Sequence, residues 1–152
     1  MSVFERLPLS ESTTEFLWKR RLRVVDAGEK AVPPTQRQQA QVKEAHKLWE
    51  GGYKDTLAFD EIRAILRDMA PGHGFCMYCE YSAGNSIDHF WPINVDPTRA
   101  FAWDNYIWSC SVCNSDFKGT KFPWISAVSH FCSTRPRTND MITWSYYLAL
   151  AN

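Results

Sequence analysis

The chain of 152 residues lacks net charge, with 17 Lys and Arg set against 17 Asp and Glu. A protein that holds nucleic acid unaided is usually basic, because phosphate neutralisation supplies most of its affinity. The balance argues against a strong free-standing binder of that kind. It leaves a weak local patch or, as we expect, a partner that brings the nucleic acid. No apolar run approaches the length of a membrane span, and the first residues carry no signal-peptide pattern. Internal repeats and low-complexity tracts are also missing. We therefore expect a cytoplasmic chain with no membrane segment, built as one domain or a small domain with an annex.

Cysteine is scarce but ordered. Four of the five cysteines form two pairs, Cys76-Met-Tyr-Cys79 and Cys110-Ser-Val-Cys113. Two C-x2-C knuckles supply four thiolates, the donor set of a closed structural zinc site. The spacing favours metal thiolates in a reducing compartment over disulfides. Cys132 is expected to be a small buried apolar residue. A four-cysteine zinc cage would hold what it encloses in fixed geometry. Between the knuckles lie Asp88-His89 and Asn105, and Asn114 follows the last ligand. Such groups can bind a hard divalent ion, activate water and attack a phosphodiester.

The two halves differ. Residues 1–75 hold 12 of the 17 basic and 11 of the 17 acidic residues, whereas all the cysteines lie in 76–152. The first half reads as a helical annex. Trp18, Leu22 and Val25 mark a helix over Thr13–Val25, and Pro33-Pro34 breaks the chain. Val42, Ala45 and Trp49 mark a second helix over Thr35–Trp49. Ile62, Ile65, Leu66 and Met69 give the clearest pattern, stopped by Pro71-Gly72. Beyond Cys79, a strand is expected over Ile87–Phe90, then an irregular loop forced by Pro92 and Pro97, then a strand over Tyr106–Ser109. A helix from about Cys110 carries Asn114 and Lys118. A last apolar helix, capped by Asn139-Asp140, is expected from Met141 onward, with a partner subunit as one candidate to cover it.

These pieces, in order, resemble the HNH nuclease family: Cys76-x2-Cys79-Glu80, Ile87-Asp88-His89-Phe90-x-Pro92, Trp103-x-Asn105-Tyr106, Cys110-x2-Cys113-Asn114-Ser115, Lys118-Gly119 and Phe122-Pro123. The resembling segment covers about half of the chain. Its opening and close are similar to the HNH subunits of bacterial antiphage systems of the Septu and retron-linked type. The resemblance implies an α+β fold: a ββα-metal core with a four-cysteine zinc site over 76–152, preceded by the helical annex of 1–75. It implies a metal-dependent endonuclease that hydrolyses DNA, as the nuclease subunit of a defence complex beside an ATPase subunit.

It also implies roles. Asp88 and Asn114 would hold a catalytic Mg²⁺ or Mn²⁺, and His89 would take a proton from the attacking water. Asn105 would orient the His89 ring. Alternation along a strand sends Asp88 and His89 to opposite faces, so a distortion is needed to bring both to one substrate. The family's final letter is often His, and Asn114 stands there instead, which favours a hard ion over a soft one. Lys118, one helical turn beyond Asn114, could meet the scissile phosphate or simply be solvated. Two other functions fit the same residues: a zinc-ribbon module that binds nucleic acid or protein without chemistry, and a stand-alone toxin-like nuclease. His46 and His73 read as surface residues. His130 is left outside the site, and the run Lys19-Arg20-Arg21-x-Arg23 reads as a solvated helix face.

Overall fold

A computed structural model of the chain describes residues 6–52 and 57–119. The expected terminal helix and its cap, Phe122-Pro123, His130 and Cys132 lie outside the described residues. Among the described residues the fold is a mixed α+β arrangement: three helices, then a small antiparallel sheet of two strands with a four-cysteine cluster at its end.

Helix α1 spans Glu11–Glu29. It starts where Ser10 caps it, the hydroxyl accepting from the Thr13 amide at 3.3 Å. Nothing before the prolines stops it, so it outruns the expected Thr13–Val25 at both ends. Its packed face also differs from the expected one. Trp18 and Leu22 remain 55% and 47% exposed, while Thr13, Leu17, Val24 and Gly28 are buried. Gly28 explains the choice. A Cβ there would lie 2.6 Å from the Gln41 side chain, so only this face lets helix α2 approach closely.

Helix α2 spans Arg37–Gly52, entered through a short turn at Pro34–Gln36, and buries Gln41, Ala45, Leu48 and Gly52. Helix α3 spans Leu57–Met69 and buries Phe59, Ile62 and Leu66. Phe59 extends the apolar row one step ahead of Ile62, which moves the helix start to Leu57. Glu61 of α3 ties the helices together by accepting from the Ser10 amide and hydroxyl at 2.6 Å each, and from the Thr13 hydroxyl.

Strand β1, Ser86–His89, pairs antiparallel with β2, Tyr106–Ser109, in the register Ser86 to Ser109 and His89 to Tyr106. All of β2 is buried. Leu17, Val24, Leu48, Phe59, Ile62, Leu66, Ile87, Tyr106 and Trp108 belong to one continuous core, so the helices and the sheet share their apolar interior. The described loop between the strands is irregular, with single tight turns at Pro97–Arg99 and Trp103–Asn105.

Directly after β2, among the described residues, the chain does not form an α-helix. Val112–Lys118 is a π-helical turn, closed by the Gly119 amide donating to the Asn114 carbonyl at 2.7 Å. The wider π winding redirects the side chains beyond Asn114 relative to an α-helix. Gly119 ends it at φ +51, a left-handed conformation suited to glycine. No helix among the described residues is long and apolar enough to cross a membrane.

Candidate functional site

Two buried clusters adjoin the sheet. The first is made of sulfur. Cys76 follows helix α3 and its tight turn, and the first knuckle is fixed to the sheet by the Met77 amide, which donates to the Trp108 carbonyl at 2.8 Å. Glu80, at φ +52, completes the knuckle by donating to the Cys76 carbonyl at 2.8 Å. The second knuckle starts where β2 ends. There the Cys113 amide donates to Cys110 Sγ at 3.4 Å, a bond that orients the sulfur.

All four cysteines are buried, free of disulfides, and their Sγ atoms lie within 4.8 Å of one another. Tetrahedral zinc with Zn–S bonds of about 2.3 Å needs sulfurs about 3.8 Å apart, so the cluster fits such an ion after slight closure. A cation would be needed only for all four sulfurs to be thiolates. The Cys76 thiol is drawn down to about 5, chiefly by a hydrogen bond from Cys113. The same contact pushes Cys113 far up, and burial pushes Cys110 up. One thiolate is readily accommodated among these sulfurs, but four need a cation. The four cysteines can therefore hold a metal ion such as zinc. Among the described residues no other group of His, Cys, Asp and Glu gathers to do so.

The second cluster is centred on Asp88, which is 6% exposed. Lys118, at the end of the π turn and 1% exposed, places its Nζ 3.0 Å from each Asp88 oxygen and 2.6 Å from the His89 carbonyl. Tyr78, inside the first knuckle, donates its hydroxyl to Asp88 Oδ2 at 2.6 Å. Burial pushes the Asp88 carboxyl up from its ordinary value, and Lys118 and Tyr78 oppose that shift.

His89 points away from this carboxylate, as strand alternation requires. Its Nε2 lies 2.9 Å from the Ala100 carbonyl. A carbonyl only accepts, so Nε2 carries the proton. Burial draws the ring down to about 4, with a smaller push in the same direction from Lys118. The ring is therefore neutral at pH 7, and its lone pair sits on Nδ1. Trp49 of α2 packs its ring against His89 with centroids 4.2 Å apart, and Tyr106 closes another side at 5.5 Å.

Asn105 does not touch the His89 ring. Its Oδ1 accepts from the Trp91 amide at 2.7 Å, and its Nδ2 donates to the Trp91 and Arg99 carbonyls at 3.1 and 3.0 Å. It clamps the loop whose next residue, Ala100, holds His89. Its influence on the ring is thus indirect, because the loop's buried backbone groups claim the amide first. Asn114 donates to the Ser86 hydroxyl at 3.2 Å.

Lys118, expected either to meet the scissile phosphate or to be solvated, is buried instead. The π winding turns it inward, where Asp88 offsets the cost of burying its charge. As arranged, these residues do not fit an open hard-ion site. Donors already take both Asp88 oxygens, and the cation beside them belongs to the chain itself.

The basic run of α1 is largely a solvated helix face, with Lys19, Arg21 and Arg23 exposed. Arg20 donates to the Leu48 carbonyl at 2.6 Å and lies over Phe16, Arg23 pairs with Glu44 at 2.7 Å, and Lys19 pairs with Glu15 at 2.8 Å. His46 meets Asn94 at 3.0 Å, and His73 meets the Asp68 carbonyl at 3.2 Å. Sequence reasoning missed three groups at the site: Tyr78, Trp49 and the Ala100 carbonyl. The knuckle spelling Cys-Met-Tyr-Cys did place a hydroxyl beside the cage, and Trp49 lay on a recognised helix face. The carbonyl has no side-chain signature. No family model, no curated protein and no solved structure matches this chain.

Proposed function

We propose that the chain is a zinc-stapled endonuclease of the ββα-metal type, with His89 as the general base in phosphodiester hydrolysis. The observation that carries this reading is the bond between His89 Nε2 and the Ala100 carbonyl at 2.9 Å. It fixes one tautomer and leaves Nδ1 as the proton acceptor, the form a base must have. A water attacking phosphorus would pass its proton to Nδ1. The zinc is structural in this reading, holding both knuckles. The order of elements, strand, strand and short π turn between and after the two knuckles, supports a ββα-type core without an α-helix in the last place. Mg²⁺ or Mn²⁺, expected at Asp88 and Asn114, enters no step here, because Lys118 and Tyr78 already donate to the two Asp88 oxygens.

DNA is the proposed substrate, on the resemblance to HNH nucleases. A protein partner, the ATPase subunit of a defence complex, is proposed to supply DNA affinity. The zero formal charge and the internally paired Lys19, Arg20 and Arg23 support that division of labour. A second reading is favoured by one specific observation. His89 is only 8% exposed and sits under Trp49 and Tyr106, as the core of a non-catalytic binding module would be.

Plasmid cleavage by the zinc-loaded chain, with its genomic neighbours' products added, separates the two. His89→Ala should fold, keep zinc and cut about 10²–10⁴-fold more slowly, the usual worth of a general base. Equal rates for variant and wild type would remove His89 from the mechanism. No cleavage by the wild type under any pairing would favour the binding module.

A further inference from the structure

We infer that Asp88 is the tie between the two cysteine knuckles, a positioning residue of the sulfur site and not a ligand to an ion of its own. Through Tyr78 it holds the first knuckle, and through Lys118 it holds the chain that leaves the second. The inference rests on the zinc staple of the proposed function and not on the role given there to His89.

Tyr78 stands between Cys76 and Cys79, and its half-buried ring packs against the four cysteines. The hydroxyl of that ring donates to Asp88 Oδ2 at 2.6 Å. Lys118 ends the π turn that carries Cys113, and its ammonium donates to Asp88 Oδ1 at 3.0 Å. The two oxygens of one carboxylate thus take one donor from each knuckle's own segment. Asp88 itself sits on β1, a strand that supplies no cysteine. Other bonds fix each knuckle separately. The Met77 amide ties the first to β2, and Asn114 ties the second to Ser86 of β1. Asp88 joins both segments through a single group.

The sulfurs gain from such a tie. Thiolates repel one another until a cation arrives, so something in the chain has to hold the knuckles at closing distance. A buried ion pair adds little stability beyond apolar residues of similar volume, so the value of this one lies in the geometry that it fixes. Hydrogen-bonded groups around a metal site commonly set its affinity in this way. By linkage, bonds that form only with the knuckles closed must strengthen metal binding, and metal must strengthen those bonds by the same factor.

The test measures metal affinity and needs no DNA. Co²⁺ is the probe, because thiolate-to-cobalt absorption reports binding to sulfur, and competition then gives the affinity for Zn²⁺. Tyr78→Phe keeps the ring against the cysteines and removes only the hydroxyl. It should weaken binding of both ions about 10–100-fold, the usual worth of such an outer contact. Thr13→Val is the control. It removes a like bond, from the buried Thr13 hydroxyl to the Glu61 carboxylate, which joins α1 to α3. It should leave metal affinity unchanged within roughly twofold, as expected of an independent position. A third arm replaces both charges, Asp88→Leu with Lys118→Met. In that background Tyr78→Phe should have no further effect, because the hydroxyl has no carboxylate to hold.

Equal losses in Tyr78→Phe and Thr13→Val would overturn the tie, since metal binding would then report overall stability alone. Wild-type affinity in Tyr78→Phe would overturn it as well, and so would an undiminished effect of Tyr78→Phe in the apolar background. If that background does not fold, the comparison of Tyr78→Phe with Thr13→Val decides alone. A wild-type chain that binds no Co²⁺ would remove the staple and the tie together. Binding that ignores Tyr78→Phe would remove the tie and leave the staple, and loss of His89-dependent cleavage would touch neither.

Discussion

The two buried polar clusters solve one problem in opposite ways. The four cysteine sulfurs bring together groups that can carry up to four negative charges and no cation. The Asp88 cluster buries one negative charge and brings its own cation, Lys118, with Tyr78 as a further donor. A buried charge left uncompensated costs several kcal/mol, so each cluster needs its counter-charge. The sulfur cluster can import one, and with all four sulfurs as thiolates its structure would be coupled to metal. The Asp88 cluster is complete as the chain folds, and any imported cation has to compete. The same few residues of chain, from the second knuckle through the π turn, serve both clusters, since Cys110 and Cys113 enter the first and Lys118 the second.

The largest expected effect lies on the sulfur side. Cys113→Ser, or removal of zinc by a strong chelator, should unfold both knuckles. Metal binding in comparable small zinc sites is worth on the order of 10–16 kcal/mol, which exceeds the stability of most domains of this size. Metal analysis should give one zinc per wild-type chain, and circular dichroism should show the variant losing structure. A folded, soluble, zinc-free variant would mean that the sulfur cluster satisfies itself as the Asp88 cluster does. The comparison would then collapse.

Next comes the ion pair. Lys118→Ala leaves a buried carboxylate with Tyr78 as its remaining side-chain donor, and should cost about 3–5 kcal/mol. Replacing both partners, Asp88→Asn with Lys118→Met, should recover most of that, because no uncompensated charge remains. Urea unfolding at saturating zinc measures both. If Lys118→Ala costs less than roughly 1 kcal/mol, the pair behaves like a surface pair, and Asp88 is more open than its burial indicates.

The contrast between the clusters also marks what could be read in advance. Cys76, Cys79, Cys110 and Cys113 were legible because metal-ligand spacing is local: each knuckle needs only three residues of separation. The span of β2 was legible for a related reason, a short apolar run leading directly into the second knuckle. Burial partners were not legible. Lys118 was read as a phosphate contact or a solvated residue because an α-helix was assumed after Cys110, and one π turn changes which way a residue four positions beyond Asn114 points. Asn105 was assigned to the His89 ring on the family resemblance, which carries no information on the backbone groups of this loop. The loop carbonyls of Trp91 and Arg99 took it instead. The face of α1 was misread because Trp18 and Leu22 outweigh Gly28 on any apolar scale, although close approach of Gln41 required the glycine.

An acid titration should show a third, somewhat smaller effect and separate the clusters further. The His89 ring has an ordinary value near 6.5, and burial draws it down to about 4 in the fold. Its folded-state value is depressed, so the unfolded chain takes up the proton first. The neutral ring's contribution is fully present above about pH 6.5 and is lost as pH falls through about 4. The span corresponds to on the order of 3 kcal/mol. Thiolate protonation also releases zinc in acid, so the wild-type profile alone is ambiguous. His89→Gln removes only the imidazole term. The difference between the two profiles at fixed zinc should fall between those pH values, and superimposable profiles would show that His89 is not held neutral by burial.

The smallest effect should come from Asn105, which serves neither charged cluster directly. Asn105→Ala strips the Trp91 amide and the Trp91 and Arg99 carbonyls of a partner, in a position where Asn105 itself is 2% exposed. Unpaired buried groups of this kind cost about 1–3 kcal/mol in all when the backbone can relax toward water. Zinc content should not change, because the Asn105 side chain bonds to the loop and not to a knuckle. Cleavage, if the nuclease reading holds, should fall less than in His89→Ala. Asn105 acts on the ring only through the loop that carries the Ala100 carbonyl, and the His89–Ala100 bond can re-form whenever the loop revisits its position. Ring proton and nitrogen shifts of His89 in Asn105→Ala should then show a mixture of the two tautomers in place of a single Nε2–H form. An unchanged tautomer, together with unchanged cleavage, would confine Asn105 to holding the loop and leave the Ala100 carbonyl positioned by the rest of the turn.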